Sequence, residues 1–256
     1  MFNFIDSHAH IYLEEFDSDI DAVIRRSQAV GVNKVYMPNI DPGTVARMNS
    51  LAAGYPEFCY PMMGLHPCSV DENFENNLTL IESNLRSKKY FGVGEIGTDL
   101  YWEKKFWEQQ KIAFQFQLKL AKEMKLPAII HCRESLEETI GMVEQMKDEN
   151  LNGVFHCFTG SIEQANRISA LGFYLGIGGV ITFKNGGLDR IIPNIDLSGI
   201  ILETDSPYLA PVPYRGKRNE PSFISLIAER ISNICGISIE EVSRVTTKNS
   251  QALFGT

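Results

Sequence analysis

Short runs of apolar, β-branched and aromatic residues recur along the chain, separated by longer stretches with helical periodicity. The runs at Phe2–Ile5, Lys34–Met37, Cys59–Met63, Phe91–Gly94, Ala128–Ile130, Val154–Phe155, Gly172–Ile177 and Gly199–Leu202 read as strands. Most are continuous rather than alternating, as expected of parallel strands covered on both faces. Between them, Asp19–Val30, Glu103–Met124, Leu136–Met146, Ile162–Leu171 and Phe223–Ile234 have helical patterns. Asp17 and Ser18 suit the N-cap of the first helix and Gly31 its stop, while Ser161 with Gln164 makes a capping-box pattern. Eight strands at about 32 residues per unit match a repeated strand–helix module. The pattern predicts an α/β chain, a single (β/α)8 TIM barrel spanning residues 1–256. A doubly wound open sheet is the alternative, weakened because no glycine fingerprint follows the first strand. No linker or charge block divides the chain.

Composition narrows the class without naming a chemistry. Of 256 residues, 44% are hydrophobic and 22% charged, an ordinary globular balance. The formal net charge is -8 and the pI about 5.2, which argues against a protein that merely coats nucleic acid. An enzyme acting on nucleic acid needs only a local basic patch. The five cysteines (59, 68, 132, 157 and 235) contain no CxxC pair, so a disulfide framework or zinc ribbon is not expected and a reducing compartment fits. The start MFNFIDSHAH is unlike a signal peptide. No run approaches the ~18 apolar residues of a membrane span. A cytoplasmic monomer with no membrane association and no obligate protein partner is expected.

The polar residues change the picture. His8, His10, His66, His131 and His156 all fall at or just beyond a predicted strand end, as do Glu95 and Asp205. In a parallel barrel these ends converge on one rim, where active sites are built. One such histidine alone would read as structural; seven polar residues on one rim read as a site. His8 and His10 are two apart, so an extended backbone aims both imidazoles the same way. Asp6 shares that face and suits an acceptor for an imidazole N–H. Cys132 and Cys157 follow His131 and His156 directly, so alternation turns both thiols outward, towards the helices, as small hydrophobes. With His66 held apart, four histidines and two carboxylates exceed the needs of one tetrahedral zinc and suit two cations sharing a bridging acid. Mixed imidazole and carboxylate donors fit zinc, manganese or similar ions. Hydrolysis by metal-activated water is the chemistry this set implies.

The motifs DSHAH, GLHP (Gly64–Pro67), VGEIGTD (Val93–Asp99), IHCR (Ile130–Arg133), HCFTG (His156–Gly160), LETDSPYLAP (Leu202–Pro211) and RGKRNEP (Arg215–Pro221) together resemble the signature set of TatD family metal-dependent hydrolases and deoxyribonucleases. They occur in the family's order and cover essentially the whole chain. The resemblance implies an amidohydrolase-like barrel holding two divalent cations (Zn, Mg or Mn), with Glu95 bridging them. It implies His8, His10 and Asp205 on one metal, His131 and His156 on the other, and Asp205 as the group that orients or deprotonates the attacking water. Thr98, Leu100 and Cys132 depart from the family's usual residues, and the first two are expected to alter the substrate rim.

The loop Arg215-Gly216-Lys217-Arg218-Asn219 is strongly basic in an acidic chain. Alone it would read as a solvated loop. Placed just after Asp205, Arg215, Lys217 and Arg218 have the charge to hold phosphates, with His66 and Arg133 as further substrate contacts. Tyr208 and Trp102 read as packing aromatics before stacking surfaces. The resulting expectation is a deoxyribonuclease, with 3′-5′ exonuclease action on single-stranded DNA implied by the resemblance alone. Two alternatives stand beside it: a small-molecule amidohydrolase or esterase using the same two-metal site, and a binding protein that keeps the site without turnover.

Overall fold

The computed structural model describes residues 2–102 and 104–255. Eight parallel strands alternate with helices. The strands are β1 (Phe4–Asp6), β2 (Val32–Pro38), β3 (Cys59–Met62), β4 (Val93–Asp99), β5 (Ala128–Arg133), β6 (Gly153–Phe155), β7 (Phe173–Ile177) and β8 (Ile200–Leu202). The helices are α1 (Ile20–Ala29), α2 (Val45–Gly54), α3 (Phe74–Ser87), α4 (Trp107–Met124), α5 (Leu136–Met146), α6 (Ile162–Ala170), the short α7 (Leu188–Ile191), α8 (Ile224–Cys235) and α9 (Ile239–Phe254). The strands run in chain order, β1 to β3 in one ladder and β4 to β8 in another. Two seams separate these ladders. Met63 and Val93 bridge one, and the other carries the Ala9–Ser206 bridge and a bond from the Ser7 N–H to the Leu202 carbonyl at 3.0 Å. This is the TIM-barrel type of α/β fold.

Two apolar layers hold the barrel. The larger lies between strands and helices. The smaller fills the lower interior with Ile5, Tyr36, Met62, Ile129, Val154 and Ile201, closed beneath by Phe254, whose ring stacks on Tyr36 at 3.8 Å. The C-terminal helix α9 thus plugs the mouth at the strand N-termini and leaves the opposite mouth for chemistry. Alternation then places the side chains two residues beyond Ile129, Val154 and Ile201, namely His131, His156 and Glu203, on the interior face above this layer.

Several element boundaries differ from expectation. β4 runs to Asp99, so Glu95 lies inside a strand and not after one. Its polar residues Glu95, Thr98 and Asp99 are all buried, which hid the part of the strand beyond Gly94 from a hydrophobic reading. Gly97 lies in it at a φ of 142°, where a Cβ would stand 1.9 Å from the His131 carbonyl oxygen. Only glycine lets β4 and β5 close there. The N-cap of α1 is Asp19, not Asp17 or Ser18, and Gly31 follows its C-cap Val30. The Ser161–Gln164 capping box is formed. Helix α4 starts at Trp107, and Glu103 lies outside the described residues. Among the described residues, no single helix is long and apolar enough to cross a membrane.

Candidate metal centre

Glu95 stands at the middle of the upper mouth and is 3% exposed. Its two carboxylate oxygens face different partners. Oε2 lies 3.2 Å from His8 Nε2 and 3.4 Å from His10 Nε2. Oε1 lies 2.9 Å from His131 Nδ1, 3.0 Å from His156 Nε2 and 3.4 Å from His66 Nε2. Asp205 Oδ1 approaches the first group, 3.7 Å from His8 Nε2 and 3.6 Å from His10 Nε2. All six expected ligands therefore meet, in overlapping groups that also take in His66.

Local backbone explains how the ligands arrive. Past β1 the chain bends at Ser7 and then pairs again, the Ala9 N–H bonding the Tyr36 carbonyl at 3.0 Å and the His10 N–H the Ser206 carbonyl at 2.7 Å. That keeps His8 and His10 on one face. Asp205 has left its strand at a φ of 57°, and its N–H bonds the His8 carbonyl at 2.8 Å. The His8–His10 segment and Asp205 are thus stitched together through the backbone.

Residues 5–255 match the family described as TatD related DNase. The chain belongs to the TatD family. It is 36% identical to a protein of Bacillus subtilis named uncharacterized metal-dependent hydrolase YabD, covering 97% of this chain and 98% of that one. It is 32% identical to a protein of Edwardsiella piscicida named 3′-5′ ssDNA/RNA exonuclease TatD, covering 94% and 95%. The crystal structure of the TatD homologue YjjV from Escherichia coli superposes with a TM-score of 0.93 at 29% identity, covering 99% and 98%. The chain is a metal-dependent hydrolase of that family.

In this TatD family member the donor set fits divalent cations. Two imidazole nitrogens, His8 Nε2 and His10 Nε2, face each other at 3.2 Å, where unshielded lone pairs would repel. Donor atoms about 2.1 Å from one ion would themselves be roughly 3.0–3.4 Å apart, which is the spacing seen here. Burial, reinforced by His156, holds His8 well below the usual imidazole range, so its lone pair is free. Burial would raise Glu95, but the surrounding imidazoles of His156, His66 and His8 hold it well below the usual carboxylate range. Burial pushes Asp205 up to about 6.

Behind the ligands sit carboxylates that the sequence reading did not assign. Asp99 Oδ2 pairs with His131 Nε2 at 2.9 Å, which leaves Nδ1 for the centre. Glu203 Oε1 lies 3.4 Å from His156 Nδ1 and accepts from the Cys157 N–H at 2.6 Å. Such partners orient imidazoles and raise their basicity. Burial opposes protonation of His131 and His156, but Asp99 with Glu95 raises the first, and Glu95 with Glu203 holds the second well above the usual range. The signal for both acids was parity: Asp99 is four residues beyond Glu95, and Glu203 two before Asp205. His10 instead turns Nδ1 to the Tyr12 hydroxyl at 3.0 Å and the Pro38 carbonyl at 3.2 Å.

Of four other expectations, that for Cys132 holds and those for Asp6, Thr98 and Cys157 do not. Asp6 accepts from the His8 N–H at 3.3 Å, the Thr204 N–H at 2.9 Å and the Thr204 hydroxyl at 2.5 Å. It fastens β1 to the segment after β8 and reaches no imidazole; burial pushes it up to about 8. Thr98 faces away from the rim, bonding Ser135 Oγ at 2.8 Å and Thr139 Oγ1 at 2.7 Å. Cys132 packs against the core between strands and helices, as alternation predicts. Cys157 does not obey it, because β6 ends at Phe155 and Cys157 has a φ of 48°. Burial, aided by the negative charges of Asp205 and Glu203, pushes its thiol well above the usual range.

The expected substrate contacts divide. His66 borders the centre, and its Nδ1 accepts from the Cys68 N–H at 3.1 Å, so a neutral ring carries its proton on Nε2 and donates inward. Arg215 and Lys217 are exposed, with the Arg215 guanidinium 4.0 Å above the Phe183 ring. Arg133 is exposed on the rim. Arg218 is already engaged. Its fork pairs with Asp19 at 2.7 and 2.8 Å and donates to the Glu15 carbonyl at 2.7 Å.

Proposed function

We propose that the protein is a two-metal phosphodiesterase that removes nucleotides from the 3′ end of single-stranded DNA. The division of the Glu95 carboxylate between two imidazole groups carries the two-metal part of this reading. The exposed Arg215 and Lys217, basic in a chain of net charge -8, and the exonuclease name of a 32% identical relative support a nucleic-acid substrate.

When bound, the cations supply Lewis acidity to a phosphoryl oxygen and acidify the attacking water. His8, His10 and Asp205 would hold one and His131 and His156 the other, with Glu95 between them. Asp205, whose Oδ1 lies 3.7 Å from His8 Nε2 and 3.6 Å from His10 Nε2, would accept the proton of the attacking water as general base. His66 donates from Nε2 to an oxygen of the bound phosphate, while Arg215 and Lys217 hold phosphates further along the strand. Arg218 acts through Asp19, fixing the loop that presents them.

The test is hydrolysis of a 5′-labelled single-stranded oligonucleotide by the metal-supplemented protein. A ladder shortening from the 3′ end is expected, with no such ladder when the 3′ terminus is blocked. Hydrolysis of simple esters or amides without any cleavage of oligonucleotides would overturn the reading in favour of a small-molecule hydrolase.

A further inference from the structure

Eight large hydrophobic residues are exposed among the described residues, and six of them lie in two rim loops: Tyr101 and Trp102 after β4, and Tyr208, Leu209, Val212 and Tyr214 after β8. Chance exposure would scatter them over the surface. Trp102 is the most exposed of the eight, by 67%, and its neighbour Tyr101 is exposed by 47%. Their rings meet edge to face at 4.8 Å. The Arg133 guanidinium, two residues beyond His131, lies 3.7 Å above the Tyr101 ring and 5.2 Å from that of Trp102. A cation and two aromatic rings thus stand in mutual contact and open to solvent, with the Trp102 ring set edge to face against Tyr101.

This surface is tied rigidly to the metal ligands. Asp99 Oδ1 accepts the backbone N–H groups of Tyr101 at 2.8 Å and Trp102 at 2.9 Å. Its other oxygen holds His131. The Gln110 side chain braces Asp99 in turn, accepting from its N–H at 2.8 Å and donating to its carbonyl at 3.1 Å. One buried carboxylate therefore sets both an imidazole of the centre and the start of the aromatic loop. Across the centre, the Tyr208 ring lies 6.2 Å from that of His10. Aromatic surfaces stand on both sides of the ligand cluster, as the two bases stand on either side of a phosphodiester.

We propose that Tyr101, Trp102 and Arg133 form a stacking subsite for a nucleobase of single-stranded nucleic acid, next to the phosphate held at the centre. This rests on the nucleic-acid reading above. Every base has a π face, so such a subsite is tolerant of sequence and selects unpaired strands, whose bases are free to stack. Arg133 adds attraction to the π system and to a neighbouring phosphate.

The experiment uses the metal-loaded protein with phosphorothioate oligonucleotides of equal length, one bearing bases and one abasic at every position, so that both present the same charge. In a Trp107→Phe background Trp102 is the sole tryptophan, and its fluorescence should be quenched by the base-bearing strand and not by the abasic one. The base-bearing strand should bind about tenfold or more tightly than the abasic one, and Trp102→Ala or Tyr101→Ala should bring that ratio towards one. Each variant is first checked for wild-type circular dichroism and metal content. A ratio unchanged in both variants, or no quenching by either strand while both bind, would overturn the subsite and leave the phosphodiesterase reading standing. Binding of neither strand by the wild-type protein would overturn both.

Discussion

Two carboxylates in one pocket are driven in opposite directions by their surroundings. Glu95 is surrounded by imidazoles and stays ionised, whereas burial pushes Asp205 up to about 6. Without metal, that contrast makes Glu95 a ready anionic donor and Asp205 a donor that must first lose a proton. Asp205→Asn keeps the shape of the side chain but loses its charge and basicity. It should lower kcat by about 10²–10⁴-fold with a much smaller change in KM, measured at saturating metal. A change confined to KM would assign Asp205 to substrate holding. Metal loading should also depend on pH with a defined sign. Without metal, His131 and His156 hold their protons more tightly than free imidazole, and Asp205 is protonated below about 6. Cations must displace these protons, so apparent metal affinity should rise with pH from about 5 to 8. Competition with a chromophoric chelator across that range measures it, and a flat profile would contradict the assignment of these three side chains as ligands.

At the scale of elements, the loop after β8 illustrates how a charge pattern can be legible while its employment is not. Arg215, Lys217 and Arg218 are adjacent in sequence, yet Arg218 is spent on Asp19 at the N-terminus of α1. Arg26 joins the same group, reaching Asp19 at 3.2 Å and Glu220 at 2.5 Å. Hydrogen bonds from Arg218 hold Asp19 down to about 2, against an ordinary 3.8. Because the folded value is the lower one, the stabilisation is present above the ordinary value and lost as the pH falls through about 2. Asp19→Asn should cost about 1 kcal/mol at pH 7, a Tm lower by roughly 2–4 °C, and the difference should shrink from pH 4 towards 2. Thermal denaturation of both proteins over that range is the measurement; a gap that widens in acid would place the partner of Arg218 elsewhere. The same distinction separates what was readable in the helices from what was not. The apolar spacing of Phe74, Leu78, Ile81 and Leu85 made α3 legible, though it was not singled out. Helix α9 buries Ser243, Thr246, Thr247, Asn249 and Ser250, and Asn249 donates to the Leu197 and Ile200 carbonyls at 2.9 and 2.7 Å. That buried face is mostly hydroxyls and an amide, with Val242 and Phe254 as its large apolar members, so no run of large apolar residues marks the helix. The ligands were legible because histidines and acids recur directly after apolar runs, although Glu95 and His131 lie within their strands. Asp99 and Glu203 were not singled out because acids behind a histidine look, in sequence, like any other acids.

The whole molecule separates its stability from its chemistry. The apolar layers run from Phe254 at the lower mouth up to the level of Ile129, Val154 and Ile201, and the proposed ligands lie above them. Chelation should therefore abolish hydrolysis and leave far-ultraviolet circular dichroism essentially unchanged. It should not leave stability unchanged. A cation that binds only the folded chain stabilises it by mass action, by about 2.7 kcal/mol at a free concentration a hundred times Kd. Its removal also leaves His8 and His10 facing each other at 3.2 Å with nothing between them but a proton. Tm should thus fall on chelation by several degrees, recover on adding back metal, and recover less in Glu95→Gln, which lacks the charge shared by both imidazole groups. Calorimetry of the chelated and reloaded proteins, wild type and variant, reads all three outcomes. Full hydrolysis after verified metal removal would end the metal-dependent mechanism. Loss of the native circular dichroism on chelation would show instead that the centre holds the barrel together, and that the apolar layers beneath it are insufficient on their own.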